Sequence, residues 1–70
     1  MEYIVQIHWD SEASVWYAVC DSIPLVLESG SFDALIERVK IAAPEILLEN
    51  NKDFQSARLC FRAERWEHIA

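Results

Sequence analysis

The stretch VWYAVCD, residues 15–21, limits the possible folds more than any other part of this 70-residue chain. Its β-branched and aromatic residues predict a β-strand, yet the strand is apolar on both alternating faces. Its six apolar side chains divide between the faces: Val15, Tyr17 and Val19 on one, Trp16, Ala18 and Cys20 on the other. A chain of 70 residues is long enough to cover only one face of a small sheet with its own residues. The second face therefore needs a cover of another kind.

The remaining patterns predict four strands in total, with one helix between the third and the fourth. Alternating segments predict the strands, which lie at residues 2–9, 15–21, 25–29 and 57–66. A polar turn over residues 10–14 makes the first two strands an antiparallel hairpin. The fourth strand is expected at an edge of the sheet, because its outward residues are charged, with the first strand flanked by the second and the fourth.

The predicted helix begins at Phe32, where the apolar spacing changes from alternation to about 3.6 residues. Ser31 is a favourable N-cap, and the apolar stripe continues to Leu47. Pro44 lies inside the stripe and lacks an N–H, so a kink or a restart is expected near that position. Asn50 and Asn51 follow the helix and can adopt the left-handed backbone conformation that often ends one. Residues 52–56 then form a polar loop.

These elements predict a single α+β domain over residues 1–70, with the order βββαβ and a mainly antiparallel sheet. One amphipathic helix covers one face of that sheet. The covered face is expected to take Val5, Ile7, Leu59 and Phe61 together with one phase of the second strand. The other phase and Ile4 stay uncovered, which favours a homodimer, a higher oligomer or a partner protein as the missing cover.

The charge balance narrows the class of partner. The formal net charge is −6 and the isoelectric point is about 4.6, so direct binding to nucleic acid or to an anionic membrane is disfavoured. A basic protein partner is favoured by charge complementarity, although an acidic surface also serves plain solubility. No signal peptide and no apolar run of bilayer length is evident, so a cytoplasmic protein with two reduced thiols is expected.

The same residues resemble the HicB-like antitoxin family, and most closely its small bacterial branch that lacks a characterised activity. The resemblance is carried by YIVQIHWD, ASVWYAVCDSIP, ESGSFDALIERVK and PEIL, which together span nearly the whole chain in order. The matching positions are the acidic hairpin, the strand with Trp, the Ile-Pro turn and the helix cap: Asp10, Glu12, Trp16, Ile23, Pro24 and Ser31.

This resemblance implies a partial RNase H-like fold without nuclease activity. It also implies pairing with a small basic RNA-cleaving toxin whose active surface is blocked. Many family members carry a C-terminal DNA-binding domain and repress their own promoter. This chain departs from the pattern, because no such element follows its fourth strand, and because the usual Gly after the Ile-Pro turn is Leu25.

Catalytic and metal-binding alternatives find little support in the residues. A nuclease of the RNase H type needs a carboxylate in the middle of the first strand, where this chain has Gln6 between two apolar residues. His8, Asp10 and His68 are possible metal ligands, but zinc sites require three or four converging ligands. No base adjoins Cys20 to activate it as a nucleophile. No catalytic residue, metal or cofactor is therefore expected.

The aromatic residues and the second cysteine lead to further expectations. Aromatic side chains on a sheet stack on bases in some RNA-binding modules. In this chain the negative net charge favours a role at a protein interface or in the core instead. The aromatic residues concerned are Trp9, Trp16, Tyr17 and Trp66. Cys20 and Cys60 lie on strands that flank the first strand, about 9–10 Å apart, which is too far for a disulfide.

The sequence thus predicts a non-enzymatic interaction domain that occludes a small basic toxin with an acidic sheet-and-loop surface. The residues expected to contact the partner are four carboxylates and two aromatic anchors: Asp10, Glu12, Asp21 and Glu28, with Trp16 and Tyr17. The alternative is a stand-alone homo-oligomeric scaffold or a small-ligand binding domain, with a pocket between the sheet and a neighbouring subunit.

Overall fold

A computed structural model describes residues 1–53 and 55–70 and places one helix against a four-stranded mixed sheet. The elements in chain order are β1 (Glu2–Asp10), β2 (Val15–Cys20), β3 (Leu25–Ser29), α1 (Phe32–Glu49) and β4 (Arg58–Glu64). The predicted α+β class and the order βββαβ are confirmed. Residue 54 lies outside the described residues, so the loop predicted over residues 52–56 is described only in part.

The strand order across the sheet is β3-β2-β1-β4. Strand β2 pairs antiparallel with both β1 and β3, whereas β4 runs parallel to β1. The predicted edge position of β4 and its place beside β1 are therefore confirmed. Parallel strands need a long crossover connection. Helix α1 provides it, because it lies between β3 and β4 in the chain and returns the chain across the sheet to the far side of β1.

Helix α1 begins where the sequence predicts and runs without interruption. The Ser31 hydroxyl accepts a hydrogen bond from the backbone N–H of Ala34 at 3.2 Å, which caps the first turn. Of the kink or restart expected near residue 43, the restart is wrong, because the helix continues through Pro44 to Glu49. Buried residues continue at a spacing of four on both sides of the proline, so packing holds the helix together despite one missing backbone bond: Leu35, Val39, Ala43 and Leu47.

The end of α1 differs in one detail from the expectation. Asn51 has a left-handed backbone with φ of 57°, but Asn50 is the C-cap with φ of −98°. The side-chain amide of Asn50 instead donates to the carbonyl of Ile46 at 2.8 Å, which satisfies one of the last helical acceptors. In the described part of the chain, no helix is long and apolar enough to cross a membrane.

The core lies between α1 and one face of the sheet. This face of β1 contributes Tyr3, Val5 and Ile7, and β2 contributes the phase that contains Ala18 and Cys20, all of them buried. The outer phase of β2, with Val15, Tyr17 and Val19, is half-buried rather than fully open, since neighbouring strands shield it. Because α1 packs over β2 and β3, the inward residues of β4 are less covered, and both Leu59 and Phe61 are half-buried.

Candidate functional site

The sheet face opposite α1 carries a row of polar and aromatic side chains that crosses all four strands. Glu28 of β3 pairs with Tyr17 of β2, Tyr17 pairs with His8 of β1, and His8 pairs with Glu64 of β4. The rings of His8 and Tyr17 lie 5.3 Å apart at an interplanar angle of 31°. Directly paired residues share one face of a sheet, so this row places two aromatic rings between two exposed carboxylates.

The β1–β2 turn extends this row at one end of the sheet. One carboxylate oxygen of Asp10, Oδ1, accepts hydrogen bonds from the backbone N–H groups of Glu12 at 3.0 Å and Ala13 at 3.2 Å. Ser14 closes the turn with a left-handed φ of 55°. These bonds shape the turn and leave the Glu12 side chain exposed near its tip. We define the hairpin-end surface as these six residues: His8, Asp10, Glu12, Tyr17, Glu28 and Glu64.

An open concavity of about 450 Å³ lies beside the hairpin-end surface. Its walls come from the aromatic row, from Glu64 at the end of β4, and from the segment that follows, including Arg65, Trp66 and Glu67. Trp66 is 86% exposed, and its Nε1 donates a hydrogen bond to Glu64 Oε1 at 2.8 Å. Glu67 forms an ion pair with Arg65 at 2.6 Å. The concavity thus combines aromatic surface with two carboxylates and the Arg65 guanidinium; Glu67 is paired with Arg65, which leaves Glu64 as the carboxylate that suits a cationic side chain.

The inner face has its own aromatic cluster, which includes one of the predicted anchors. Trp16 lies 5.2 Å from Trp9 between ring centroids, and 5.1 Å from Phe32 in an edge-on geometry at 80°. The Arg65 guanidinium lies over the Trp9 ring at 4.1 Å. Trp16 therefore packs the start of α1 against the sheet and lies on the face opposite to Tyr17.

Of the six residues predicted to contact a partner, the structure brings four together at one place. Asp10, Glu12, Tyr17 and Glu28 belong to the hairpin-end surface. Asp21 is exposed in the turn after β2, at the far end of that strand from Glu12. A six-residue strand spans about 20 Å, so Asp21 lies outside this surface, as Trp16 does.

His8 and Glu64 are members of the surface that the sequence reasoning did not assign to it. The alternation of β1 places His8 on the same face as Gln6 and Ile4, which was a usable signal. No local sequence pattern could have placed Glu64 at this surface, because its position depends on the register of β4 against β1. That register joins segments more than 50 residues apart, since His8 pairs with Glu64.

The metal-ligating side chains are dispersed over the part of the chain that the structure describes. Among residues 1–53 and 55–70, no cluster of three or more His, Cys, Asp or Glu side chains has the geometry of a metal site. Cys20 is buried, Cys60 is exposed, and both are free thiols. The predicted separation of these cysteines by β1 is confirmed by the strand order.

Comparisons with known proteins identify a family and a similar fold. A family model described as a domain of unknown function (DUF1902) matches residues 2–69. The crystal structure of hypothetical protein TTHA1013 from the extremely thermophilic bacterium Thermus thermophilus is similar, with a TM-score of 0.75 and 30% sequence identity. That similarity covers 100% of this chain and 99% of the thermophile chain. No curated protein matches the chain.

Proposed function

The chain belongs to the family of domains of unknown function DUF1902, and from this premise we propose that it is a non-enzymatic protein-interaction module of the cytoplasm. Its partner is a small basic RNA-cleaving toxin, and its mode of action is occlusion, as in the HicB-like antitoxins that its sequence resembles. The observation that carries this proposal is the hairpin-end surface, where two rings lie between carboxylates from three strands and a turn.

The charges of the hairpin-end surface support a basic partner. It contains four carboxylates and no Lys or Arg, and three of the four residues that carry them are exposed: Glu12, Glu28 and Glu64. A surface of one sign attracts the opposite charge, speeds encounter and suppresses wrong partners. A toxin that cleaves RNA needs Lys and Arg to hold phosphates, and those are the groups that such a surface attracts.

The aromatic row supports a contact rather than a loose electrostatic attraction. Tyr17 and His8 present flat surface between Glu28 and Glu64, so an Arg that stacks on a ring lies close to a carboxylate. Guanidinium groups stack on aromatic faces and bind carboxylates through paired N–H groups. Arg65 already forms this kind of contact with Trp9 within the chain. A toxin that contributes its RNA-binding Arg to this surface loses access to substrate.

The composition of β1 supports a role without catalysis. The middle of β1 presents the buried side chains of Val5 and Ile7 to the core, and Gln6 to the outer face. No carboxylate stands there to bind the metal ions that an RNase H-type reaction requires. The carboxylates of the hairpin-end surface lie instead at the strand end and in the turn, where Asp10 stabilises the backbone.

The proposal is tested by charge reversal on the hairpin-end surface. Tagged wild-type chain and a Glu12→Lys/Glu28→Lys variant are used to capture proteins from native cytosol at several salt concentrations. We expect the wild type to retain a small basic protein in stoichiometric amount, and the variant to lose it. The captured protein is then purified and assayed for RNA cleavage, which added wild-type chain should inhibit.

A matched control separates local charge from net charge. Glu45→Lys/Glu49→Lys changes the net charge by the same amount, but its two residues are exposed on α1, on the other side of the molecule from the outer sheet face. This control should bind and inhibit like the wild type. Equal loss of binding in both variants, or retention in both, would refute the role of the hairpin-end surface.

The concavity of about 450 Å³ favours a second candidate, a domain that binds a small cationic ligand. In that case the purified chain captures no basic protein. Binding of a guanidinium or alkylammonium compound, followed by tryptophan fluorescence, to which Trp9 and Trp66 at the concavity contribute, then distinguishes this candidate from an interaction module.

A further inference from the structure

Strand β4 presents an open edge. The backbone N–H of Arg58 donates to the carbonyl of Met1 at 2.9 Å, so Arg58 directs its backbone groups toward β1. Backbone direction alternates along a strand, and therefore Leu59, Phe61 and Ala63 direct their N–H and C=O groups away from the sheet. Within residues 1–53 and 55–70, no strand pairs with that edge.

The opposite edge of the sheet, strand β3, is partly covered by the helix. Arg38 of α1 donates a hydrogen bond from Nη1 to the backbone carbonyl of Glu28, so the helix covers part of the edge of β3. Edges left open along a full strand are templates for pairing with another chain. Strand β4, with seven residues, is such an edge.

The inward side of β4 also lacks a cover. Leu59 and Phe61 point toward the helix layer but are only half-buried, because α1 packs over β2 and β3. A groove of about 230 Å³ lies between α1 and β4, and its lining is mainly apolar: Ala43, Pro44, Leu47, Ala57 and Leu59, with Lys40. An added strand at this edge would bring side chains that complete the layer.

We propose that a second copy of this chain pairs antiparallel with β4 about a two-fold axis at Phe61. Phe61 then pairs with the partner's Phe61, and Leu59 pairs with the partner's Ala63. These are the residues whose backbone groups are open, so each pair exchanges both hydrogen bonds. All seven residues of β4 take part, and the two sheets join into one of eight strands.

Charge complementarity selects this register over its neighbours. With the axis at Phe61, Arg58 lies opposite the partner's Glu64 on the outer face, and the same contact occurs twice. An axis at Cys60 instead places Arg58 opposite the partner's Arg62. An axis at Arg62 places the two Arg62 side chains opposite each other. Opposite charges stabilise cross-strand pairs and like charges destabilise them, so only the first arrangement is favourable over the whole strand.

The side chains that the register uses keep donors and acceptors for these contacts beside the bonds that they already make. The Arg58 side chain is 81% exposed, and its Glu2 partner, at 3.2 Å, lies on the β1 side. Glu64 receives one hydrogen bond, from Trp66, on Oε1. This pairing does not rest on the proposed function: it shares Glu64 with the hairpin-end surface, whose other five residues lie on strands β1 to β3 and in the β1–β2 turn.

The test is the oligomeric state of the full chain, measured by sedimentation equilibrium over a range of concentrations. We expect a dimer for the wild type and for Arg62→Glu, because Arg62 lies opposite the partner's Cys60. Glu64→Lys places two like charges opposite each other twice and should raise the dissociation constant by about tenfold or more. The double variant Arg58→Glu/Glu64→Lys exchanges the charges and should restore the wild-type dimer.

A backbone variant tests the pairing without changing charge. Ala63→Pro removes an N–H that faces away from β1, so the protomer keeps its own ladder while the dimer loses a hydrogen-bonded pair. Far-UV circular dichroism establishes that the variant is folded, and we expect it to be monomeric. A wild-type monomer at all concentrations, a dimer that survives Ala63→Pro, or capture at this edge of a strand from a different protein would overturn the proposal.

Discussion

Two adjacent leucines of α1 provide a strong test of how the helix lies on the sheet. Leu47 is 2% exposed and Leu48 is 64% exposed, although they have the same side chain and the same helical neighbourhood. Replacing either by Ala changes the intrinsic helix propensity by the same small amount. Any difference between the two variants in the free energy of unfolding therefore reports burial alone.

The expected magnitudes follow from the exposed fractions. Leu→Ala removes three carbons, and at about 0.8 kcal/mol for each buried CH₂ the transfer part is about 2.4 kcal/mol for the fully buried Leu47. The cavity left behind raises the cost of Leu47→Ala into the range of about 2–5 kcal/mol. Leu48 keeps only about a third of its surface buried, which limits its cost to about 0.9 kcal/mol, and less once the better helix propensity of Ala is included.

The cost of Leu47→Ala is large relative to the total free energy of unfolding of the chain. At about 0.05–0.15 kcal/mol per residue, a chain of 70 residues has a free energy of unfolding of roughly 3.5–10 kcal/mol. Leu47→Ala should therefore remove a large part of the stability, and Leu48→Ala little of it.

The assay is urea unfolding followed by circular dichroism and tryptophan fluorescence, at two protein concentrations so that any coupled dissociation is seen. An equal loss for the two leucines, or a greater loss for Leu48→Ala, would refute the placement of α1 on the sheet. A concentration-dependent loss confined to Leu48→Ala would mean that a second copy covers this side of the helix, and that the interface proposed at β4 is incomplete.

Two further predictions concern the turn and the thiols. Asp10→Ala removes the acceptor of the Glu12 and Ala13 N–H groups and should lower the free energy of unfolding by about 1 kcal/mol. Asp10→Asn keeps an acceptor and should lower it by less. Urea unfolding measures both variants. Cys60 is exposed and Cys20 is buried, so one thiol per chain should react with Ellman's reagent under native conditions, and two after unfolding. Rapid reaction of both thiols in the native state, or mapping of the first label to Cys20, would contradict the assignment of the β2 faces.

Local patterns in the sequence were sufficient for the elements and their order. Alternation and β-branched residues predict four strands within two residues of their observed ends, and the bounds of β3 agree in full. The change of period after Ser31 predicts the start of α1, and the hydroxyl of that residue caps the helix. These features depend on contacts within a few residues, which is why one sequence suffices to predict them. Of the kink or restart expected near residue 43, the restart was wrong, because packing against the sheet decides whether a helix continues past a proline.

Tertiary structure decided which face of β2 meets the helix and where the candidate site lies. Both phases of β2 are apolar, so alternation alone gives two equivalent answers. Contact with Phe32 and the core selects the phase of Trp16, and Tyr17 consequently lies on the outer face. The row from Glu28 to Glu64 depends on the register of three strand pairs, of which the parallel pair β1–β4 joins the two ends of the chain. Local sequence carries the period of a strand but not its register against a distant one, because register is set by side chains that meet only in the folded molecule.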